Sequence, residues 1–462
     1  MQVCIPTALS LLGAFSAPLW AQVSAVERAV ARAEAIGART GVAVGDASAR
    51  ILYRNRAGEA FAPASNMKLL TAAGVLSGLG RDHRFVTDFR LDEGVLRVSA
   101  SGDPNWIAGT DHDPARVFGA VAAAIRARGV SSVRAVELAP GAFTGPSRPA
   151  TWPQDQLYAY YCAPTGPFVL QQGTFVMGIQ RSGGASARVA LLAPPAGYRV
   201  LGAVREVARQ KGATYGAIDE GGAVRVRGKF YRKSPRVEIK TSVKDPTRWY
   251  EDTLVHQLRL GGVTVAADAP PATQGVVHSH QSSLQPALRR MLEDSSNFDA
   301  EQCLRILGAA TAGDGSLAGG TRALRVALES LVGRVPEGVE LVDGSGLSKQ
   351  NRLSPGLLVV AMFELERRGL WSQLEDCLPV AGRTGTLRKR FVGSGLEGRV
   401  RAKTGWIRGA SSLSGVVEAQ DGSRRWFSIL MNYDRGRSGV NKQLKRLQED
   451  IVAAVAAMPG AQ

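Results

Sequence analysis

The chain has 462 residues, 45% hydrophobic and 21% charged. That supplies apolar side chains for a large core and is too long for one ordinary domain, so disordered and fibrous classes are excluded and two or three domains are expected. The formal charge of +17 draws such a protein to polyanions, which outside the cytoplasm means anionic lipid headgroups, acidic envelope polymers or carboxylate-rich peptides. Nucleic acid is disfavoured as a partner, because the basic residues read as single Arg spread along the chain without aromatic interleaving or a recognised binding motif.

Residues 1 to 26 carry no charge, and Val3 to Trp20 is mostly apolar, broken by Pro6 and Pro18. With small residues at Ala21 and at Val23-Ser24-Ala25, the pattern predicts a secretory signal removed after Ala21 or Ala25, although no Lys or Arg precedes the apolar run. The mature chain is then exported and soluble, since no later run approaches the ~20 apolar residues of a membrane span. Cys4 would leave with the signal. Cys162, Cys303 and Cys377 allow at most one disulfide, fit no zinc spacing and read as buried small apolar residues. No metal or other cofactor is called for.

Ser24 to Ala35 predicts a helix, with apolar positions at Val26, Ala29, Val30 and Ala33, and Thr40 to Asp46 with Arg50 to Tyr53 predicts a strand pair. Next comes Phe61-Ala-Pro-Ala-Ser-Asn-Met-Lys-Leu-Leu70, the start of an apolar helix. From Phe85 the texture changes to short alternating runs such as Phe85 to Leu91 and Val95 to Ser99, with Gly and Pro between them. Helical patterns return at Phe118 to Arg128 and Trp249 to Leu260, and Val276 to Gln285 reads as a linker. Strands are expected at Arg399 to Gly405, Ser412 to Ala419 and Trp426 to Tyr433, then a helix from Val440 to Met458. Helices and strands at both chain ends suggest one antiparallel sheet built from both, flanked by helices.

Three short motifs carry chemistry. Ser65 and Lys68 stand three residues apart, hence on one helix face, so an amine can take the proton of a hydroxyl nucleophile. The chain has eleven Lys, and only Lys68 has a Ser three residues before it. Ser295-Ser296-Asn297 is the chain's only Ser-x-Asn and Lys403-Thr404-Gly405 its only Lys-Thr-Gly. Ser295 can pass a proton to a leaving nitrogen, and the Asn297 amide can both donate to and accept from a peptide bond. Lys403 and Thr404 can hold a carboxylate, and Gly405 allows close backbone approach. Blander readings exist: the middle motif as a helix N-cap, Lys403 as an exposed strand residue. His83, His112, His256, His278 and His280 all lie outside these motifs, and no Gly-x-Ser-x-Gly, His-Glu-x-x-His or phosphate loop occurs.

Together the motifs resemble those of the class C, low-molecular-mass penicillin-binding proteins, the D-alanyl-D-alanine carboxypeptidase/endopeptidase family. Ser101-Gly-Asp-Pro104, Asp343-Gly-Ser-Gly-Leu-Ser348, Leu353-Ser-Pro355 and Gly382-Arg-Thr-Gly-Thr-Leu387 look like further family landmarks in family order. The resemblance implies an α+β fold: a serine β-lactamase/transpeptidase-like domain, an antiparallel sheet flanked by helices, split by long inserted β-rich domains. Residues 22–84 and 275–462 would form the catalytic domain after a signal at 1–21, and 85–274 two inserts, one nested in the other. It also implies Ser65 as nucleophile, Lys68 as base, Ser295 as proton relay, Asn297 as substrate anchor, Lys403 and Thr404 beside Gly405 as carboxylate clamp, and the backbone N–H groups of Ser65 and Trp406 as oxyanion hole. Two departures stand out: Ser296 where Asp is frequent, and Trp406 where a small hydroxyl residue is usual.

The expected protein is a periplasmic or wall-facing serine DD-peptidase acting on peptidoglycan stem peptides and inhibited by β-lactam antibiotics, with no nucleic-acid partner and with peripheral association with an anionic membrane surface allowed by its charge. A related hydrolase of β-lactams or small esters, and a catalytically silent wall-binding protein, are the alternatives. Intact Ser65, Lys68 and Lys403 speak against the silent reading.

Overall fold

The computed structural model describes residues 17–192 and 198–459, without the side chains of residues 17–20. The signal call therefore falls mostly outside the described residues. From Ala17 on, the chain is a helix, Ala17–Ala35, that runs through both expected exits at Ala21 and Ala25.

One five-stranded antiparallel sheet is built from both chain ends. Val400–Ile407 forms one edge, followed in space by Ala410–Glu418, Arg424–Tyr433, Ala38–Asp46 and Ile51–Asn55. The two halves meet where Ala38–Asp46 pairs with Arg424–Tyr433, with Val42 opposite Ile429 and Val44 opposite Phe427. The inner strands are buried on both faces, so they read as near-continuous small and apolar runs.

Each sheet face supports its own core. On one side Val26, Ala29 and Val30 of Ala17–Ala35 and Leu444, Ile451 and Val455 of Val440–Ala456 cover Phe427, Ile429 and Met431. On the other, Met67–Leu79, Asn297–Ala312, Leu317–Val332 and Pro355–Arg367 share a core with Trp426 and Leu430. Each fully buried Leu, Ile or Phe contributes roughly 1.5–3 kcal/mol, so sheet and helices hold each other in register. Gly74 is required here, because a Cβ on it would run into the Leu324 side chain.

The chain leaves this body through Arg84–Asp92 and returns through Gly275–Ser283. These strands pair antiparallel, with Phe85 opposite Ser282, in a sheet completed by Val95–Ala100 and Ala135–Ala139. Residues 276–285, read above as a linker, are therefore mostly strand, and the expected boundaries at 84/85 and 274/275 cut across one strand pair. The sequence hides this strand because its buried positions include Ser282, held by hydrogen bonds to Asp103 (2.7 Å) and from Asn105 (2.7 Å) rather than by apolar packing. Between the two strands lie two further three-stranded sheets, one of Thr174–Gln180, Arg188–Leu192 and Val237–Ser242, the other of Arg199–Val207, Thr214–Asp219 and Ala223–Tyr231. Helices Pro114–Ala127 and Pro246–Leu260 start earlier than their apolar periodicity suggests, because Asp113 and Asp245 cap them ahead of a Pro. One buried cluster containing Phe89, Phe118, Phe175 and Tyr250 runs through the whole segment.

Cys162, Cys303 and Cys377 are all buried and free. No helix among the described residues is long and apolar enough to cross a membrane.

Candidate active site

Ser65 sits in a single 3-10 turn, Ala64–Asn66, that runs directly into Met67–Leu79. Ala64 adopts a left-handed φ of 48° and packs its carbonyl against Gly346, where a Cβ would collide with it. That strain sets the turn at the sheet edge. Asn66, which sequence reasoning passed over, fastens it there: its side-chain amide donates to the Lys403 carbonyl at 2.8 Å and accepts from Ser414 Oγ at 2.5 Å.

Lys68 is fully buried. Its Nζ donates to Ser65 Oγ at 3.0 Å, Asn297 Oδ1 at 2.6 Å and the Ser345 carbonyl at 2.7 Å. Burial brings its pKa down from 10.5 to about 7, against the opposing pull of the Asp343 and Glu301 carboxylates. The amine is thus poised to exchange a proton near neutral pH.

The middle motif divides its labour. Ser296 is the N-cap of Asn297–Ala312, accepting from the Asp299 N–H, so the capping reading holds for that residue. Its neighbours face the site. Ser295, at a left-handed φ of 60°, accepts from Lys403 Nζ at 2.8 Å, and Asn297 points its oxygen at Lys68 while its Nδ2 donates to the Tyr161 carbonyl at 2.8 Å.

Lys403 lies on the edge strand Val400–Ile407 and is buried, not the exposed strand residue of the bland alternative. Burial, and then repulsion from Lys68, hold it well below the ordinary lysine range. Thr404 Oγ1 donates to Thr386 Oγ1 at 2.8 Å, which brings the Gly382–Leu387 landmark to the cleft. A Cβ on Gly405 would collide with Ser412 Oγ and sit 3.0 Å from both the Pro63 carbonyl and the Ser65 nitrogen, so this glycine is what lets the strand approach the Ser65 turn. Trp406 is 57% exposed, its indole donating to Tyr433 Oη at 3.3 Å.

Behind Lys68 stands a buried support that the sequence reading noted only as a landmark. Glu301 accepts from the N–H groups of Gly344 (3.1 Å) and Ser345 (2.8 Å). Asp343 accepts from the N–H groups of Gly346 (2.7 Å) and Ser348 (2.6 Å), and from Trp152 Nε1 of the long intervening segment at 3.0 Å. Burial, reinforced by Asp343, pushes the Glu301 carboxyl up. Glu301 stands in the mixed run Phe298-Asp-Ala-Glu-Gln-Cys-Leu304, where Asp299 and Gln302 beside it leave no pattern that marks which polar side chain is the support. Tyr161 had no signal either, because it acts through its backbone.

Ser65, Lys68, Ser295, Asn297, Lys403, Thr404 and Gly405 gather at one cleft, while the Trp406 indole turns to Tyr433. The cleft extends beside Ser295 and Asn297 into a cavity of about 360 Å³ walled by Tyr160, Tyr161, Gln172 and Lys240. His112 and His280 lie elsewhere, 3.1 Å from each other. Among the described residues no group of three or more His, Cys, Asp or Glu is placed to hold a metal ion.

The chain is similar to known proteins along most of its length. A D-alanyl-D-alanine carboxypeptidase of Actinomadura sp. is 32% identical over 437 residues, 87% of this chain and 79% of that one. Carboxypeptidase DacB of Mycolicibacterium smegmatis is 28% identical, covering 85% and 74%. The crystal structure of penicillin binding protein 4 (dacB) from Haemophilus influenzae superposes with a TM-score of 0.76 at 20% identity over 92% of this chain and 98% of that one; the same protein complexed with a novel β-lactam gives 0.71 at 19% identity, with the same coverage. The shared fold confirms the α+β, transpeptidase-like architecture. The D-Ala-D-Ala carboxypeptidase 3 (S13) family profile matches residues 22–453, and the chain belongs to that family.

Proposed function

We propose that this chain is a serine DD-peptidase that cleaves the D-alanyl-D-alanine terminus of peptidoglycan stem peptides, and the D-alanyl cross-link to a diamino acid, through an acyl-enzyme on Ser65. The observation that carries the reading is Lys68, buried, near-neutral and 3.0 Å from Ser65 Oγ.

In this mechanism Lys68 takes the Ser65 proton as Oγ attacks the penultimate carbonyl carbon. The N–H groups of Ser65 and Trp406 receive the developing oxyanion. Ser295, bonded to Lys403, passes a proton to the leaving D-alanine nitrogen as the C–N bond breaks and regains one from the Lys68 ammonium, so that water then hydrolyses the ester with neutral Lys68 again as base. Asn297 aligns the peptide, while Lys403 and Thr404 hold the terminal carboxylate. A strained β-lactam amide beside a carboxylate presents the same groups, consistent with the β-lactam complex of the H. influenzae protein. The catalytic domain is built from both chain ends and two nested inserts lie between them, with the boundaries moved from 84/85 and 274/275 so that the paired strands Arg84–Asp92 and Gly275–Ser283 stay together; their adjacency supports a single excursion. Export to the periplasm or wall follows from the apolar leader.

The test is penicillin labelling with peptide mapping. The adduct is expected between Ile51 and Leu70, to be long-lived, and to vanish in Ser65→Ala. Labelling that persists in that variant refutes the nucleophile, and rapid release of hydrolysed penicillin identifies a β-lactam hydrolase instead.

A further inference from the structure

The net charge is not evenly distributed. Residues 181–236 hold twelve Lys or Arg against three Asp or Glu, a net +9 of the chain's +17. This stretch contains the three-stranded sheet Thr214–Asp219, Ala223–Tyr231, Arg199–Val207, none of which carries a motif residue.

Strand alternation puts four of those charges on one side. In Ala223–Tyr231 the buried Val224, Val226 and Phe230 face inward, while Arg225, Arg227 and Lys229 are exposed on the opposite face. On the neighbouring strand Arg205 lies directly opposite Lys229 and is also exposed. Like charges in that position destabilise a sheet. Only Arg225 is relieved, by Glu220 at 2.6 Å; Arg205, Arg227 and Lys229 form no ion pair among the described residues. Ile218 lies opposite Arg225 on the edge strand. Beside that edge Tyr158, Tyr215 and Ile218, 47%, 36% and 36% exposed, border a depression of about 430 Å³ that Arg225 and Arg227 also line.

We propose that this sheet face is a docking surface for an anionic phospholipid membrane. The uncompensated cations supply the attraction, worth about 1 kcal/mol per Lys or Arg near such a surface. Ile218, on the same face as the cations, and Tyr158 and Tyr215 at the adjoining edge suit the headgroup level, where amphipathic rings accumulate, and the arginine-lined depression has room for a headgroup phosphate. An acidic polymer would use the charges but gives the apolar rim no role. Tyr158 is three residues from Tyr161, whose carbonyl holds Asn297, so docking would orient the cleft relative to the membrane. The proposal does not depend on the catalytic reading.

The test is cosedimentation of the full chain with vesicles of phosphatidylglycerol in phosphatidylcholine, and of phosphatidylcholine alone, at about 0.1 M salt, where the screening length is about 10 Å. Binding is expected only to the anionic vesicles and is expected to fall steeply as salt rises. The triple variant Arg205→Gln, Arg227→Gln, Lys229→Gln should weaken it about 100-fold, at about 1 kcal/mol per lost charge. A control with the same loss of charge elsewhere, Arg126→Gln, Arg259→Gln, Lys442→Gln, should remain within a few-fold of wild type. Cleavage of a short soluble peptide and the melting temperature should be unchanged in both. Equal weakening by the two triple variants would show diffuse charge and overturn the assignment, as would tight binding to soluble polyphosphate with none to the vesicles.

Discussion

Glu301 accepts from the backbone N–H of Ser345 at 2.8 Å, and the carbonyl of that same Ser345 accepts from Lys68 Nζ at 2.7 Å. A carboxylate that never reaches the cleft thus fixes one of the base's three acceptors, and its charge also favours protonated Lys68.

Replacing Glu301 by Gln keeps the shape, removes the charge and leaves one of the two N–H groups facing an amide donor. Because the ionised Glu301 carboxyl raises the Lys68 pKa while burial keeps much of that carboxyl protonated near neutral pH, its loss should move the acid limb of the kcat/KM profile for acylation only slightly below its wild-type position near pH 7, with about a tenfold lower plateau from the loosened loop. A loss of plateau with an unmoved limb would leave Glu301 a purely structural role.

The depressed Lys68 pKa also predicts how stability varies with pH. Unfolded, the amine keeps its proton up to about its ordinary 10.5; folded, it releases it above about 7. Between those values the unfolded chain binds more protons, so stability should rise with pH. Lys68→Met should remove that share of the slope, about 2.5 kcal/mol between about pH 7.5 and 9.5 at 1.36 kcal/mol per unit. Denaturant melts of both proteins across that window measure it, and parallel curves would contradict the burial of a neutral amine.

Lys403→Ala should cut turnover of a free D-alanyl-D-alanine peptide far more than turnover of its C-terminal amide. If the ammonium serves binding alone, the difference should be about 10- to 150-fold, one charge-assisted hydrogen bond of roughly 1.5 to 3 kcal/mol. Equal losses on both substrates, with an unshifted pH profile, would refute the carboxylate role. Equal losses together with a shifted profile would instead mark Lys403 as tuning Lys68.

Gly405→Ala tests the close approach of strand and nucleophile turn. The added methyl meets Ser412 Oγ, which can rotate away at the cost of its 2.7 Å hydrogen bond to the Pro63 carbonyl, and it also meets the Pro63 carbonyl and the Ser65 nitrogen, which are backbone. Penicillin acylation should fall more than about tenfold while stability drops by only about 1–3 kcal/mol, the usual range for overpacking. Stopped-flow acylation and thermal melts separate the two, and near-normal acylation would show that the turn has slack.

The sequence by itself determined the candidate side chains of the site and the elements that carry them. Ser65 and Lys68 share a helix face by local geometry alone, and the terminal strands and helices were legible from their periodicity to within a few residues, save the first helix, which starts at Ala17 rather than Ser24, because periodicity records which side chains must leave water. It also singled out Ser295, Asn297 and Lys403, since each is a polar residue in a motif the chain uses once.

Only the tertiary structure decided what surrounds them. That Lys68 is near-neutral depends on burial and on carboxylates at positions 301 and 343, remote in sequence, and burial is a property of the packed chain. The strand Gly275–Ser283 escaped notice because its partner, Arg84–Asp92, lies some 190 residues away along the chain and backbone pairing leaves little trace in side chains rich in Ser and His. Tyr161 contributes a carbonyl, which every residue possesses, so no sequence pattern could mark it. The arginines that look scattered along the chain become one charged face only when sheet alternation and strand register align Arg225, Arg227, Lys229 and Arg205.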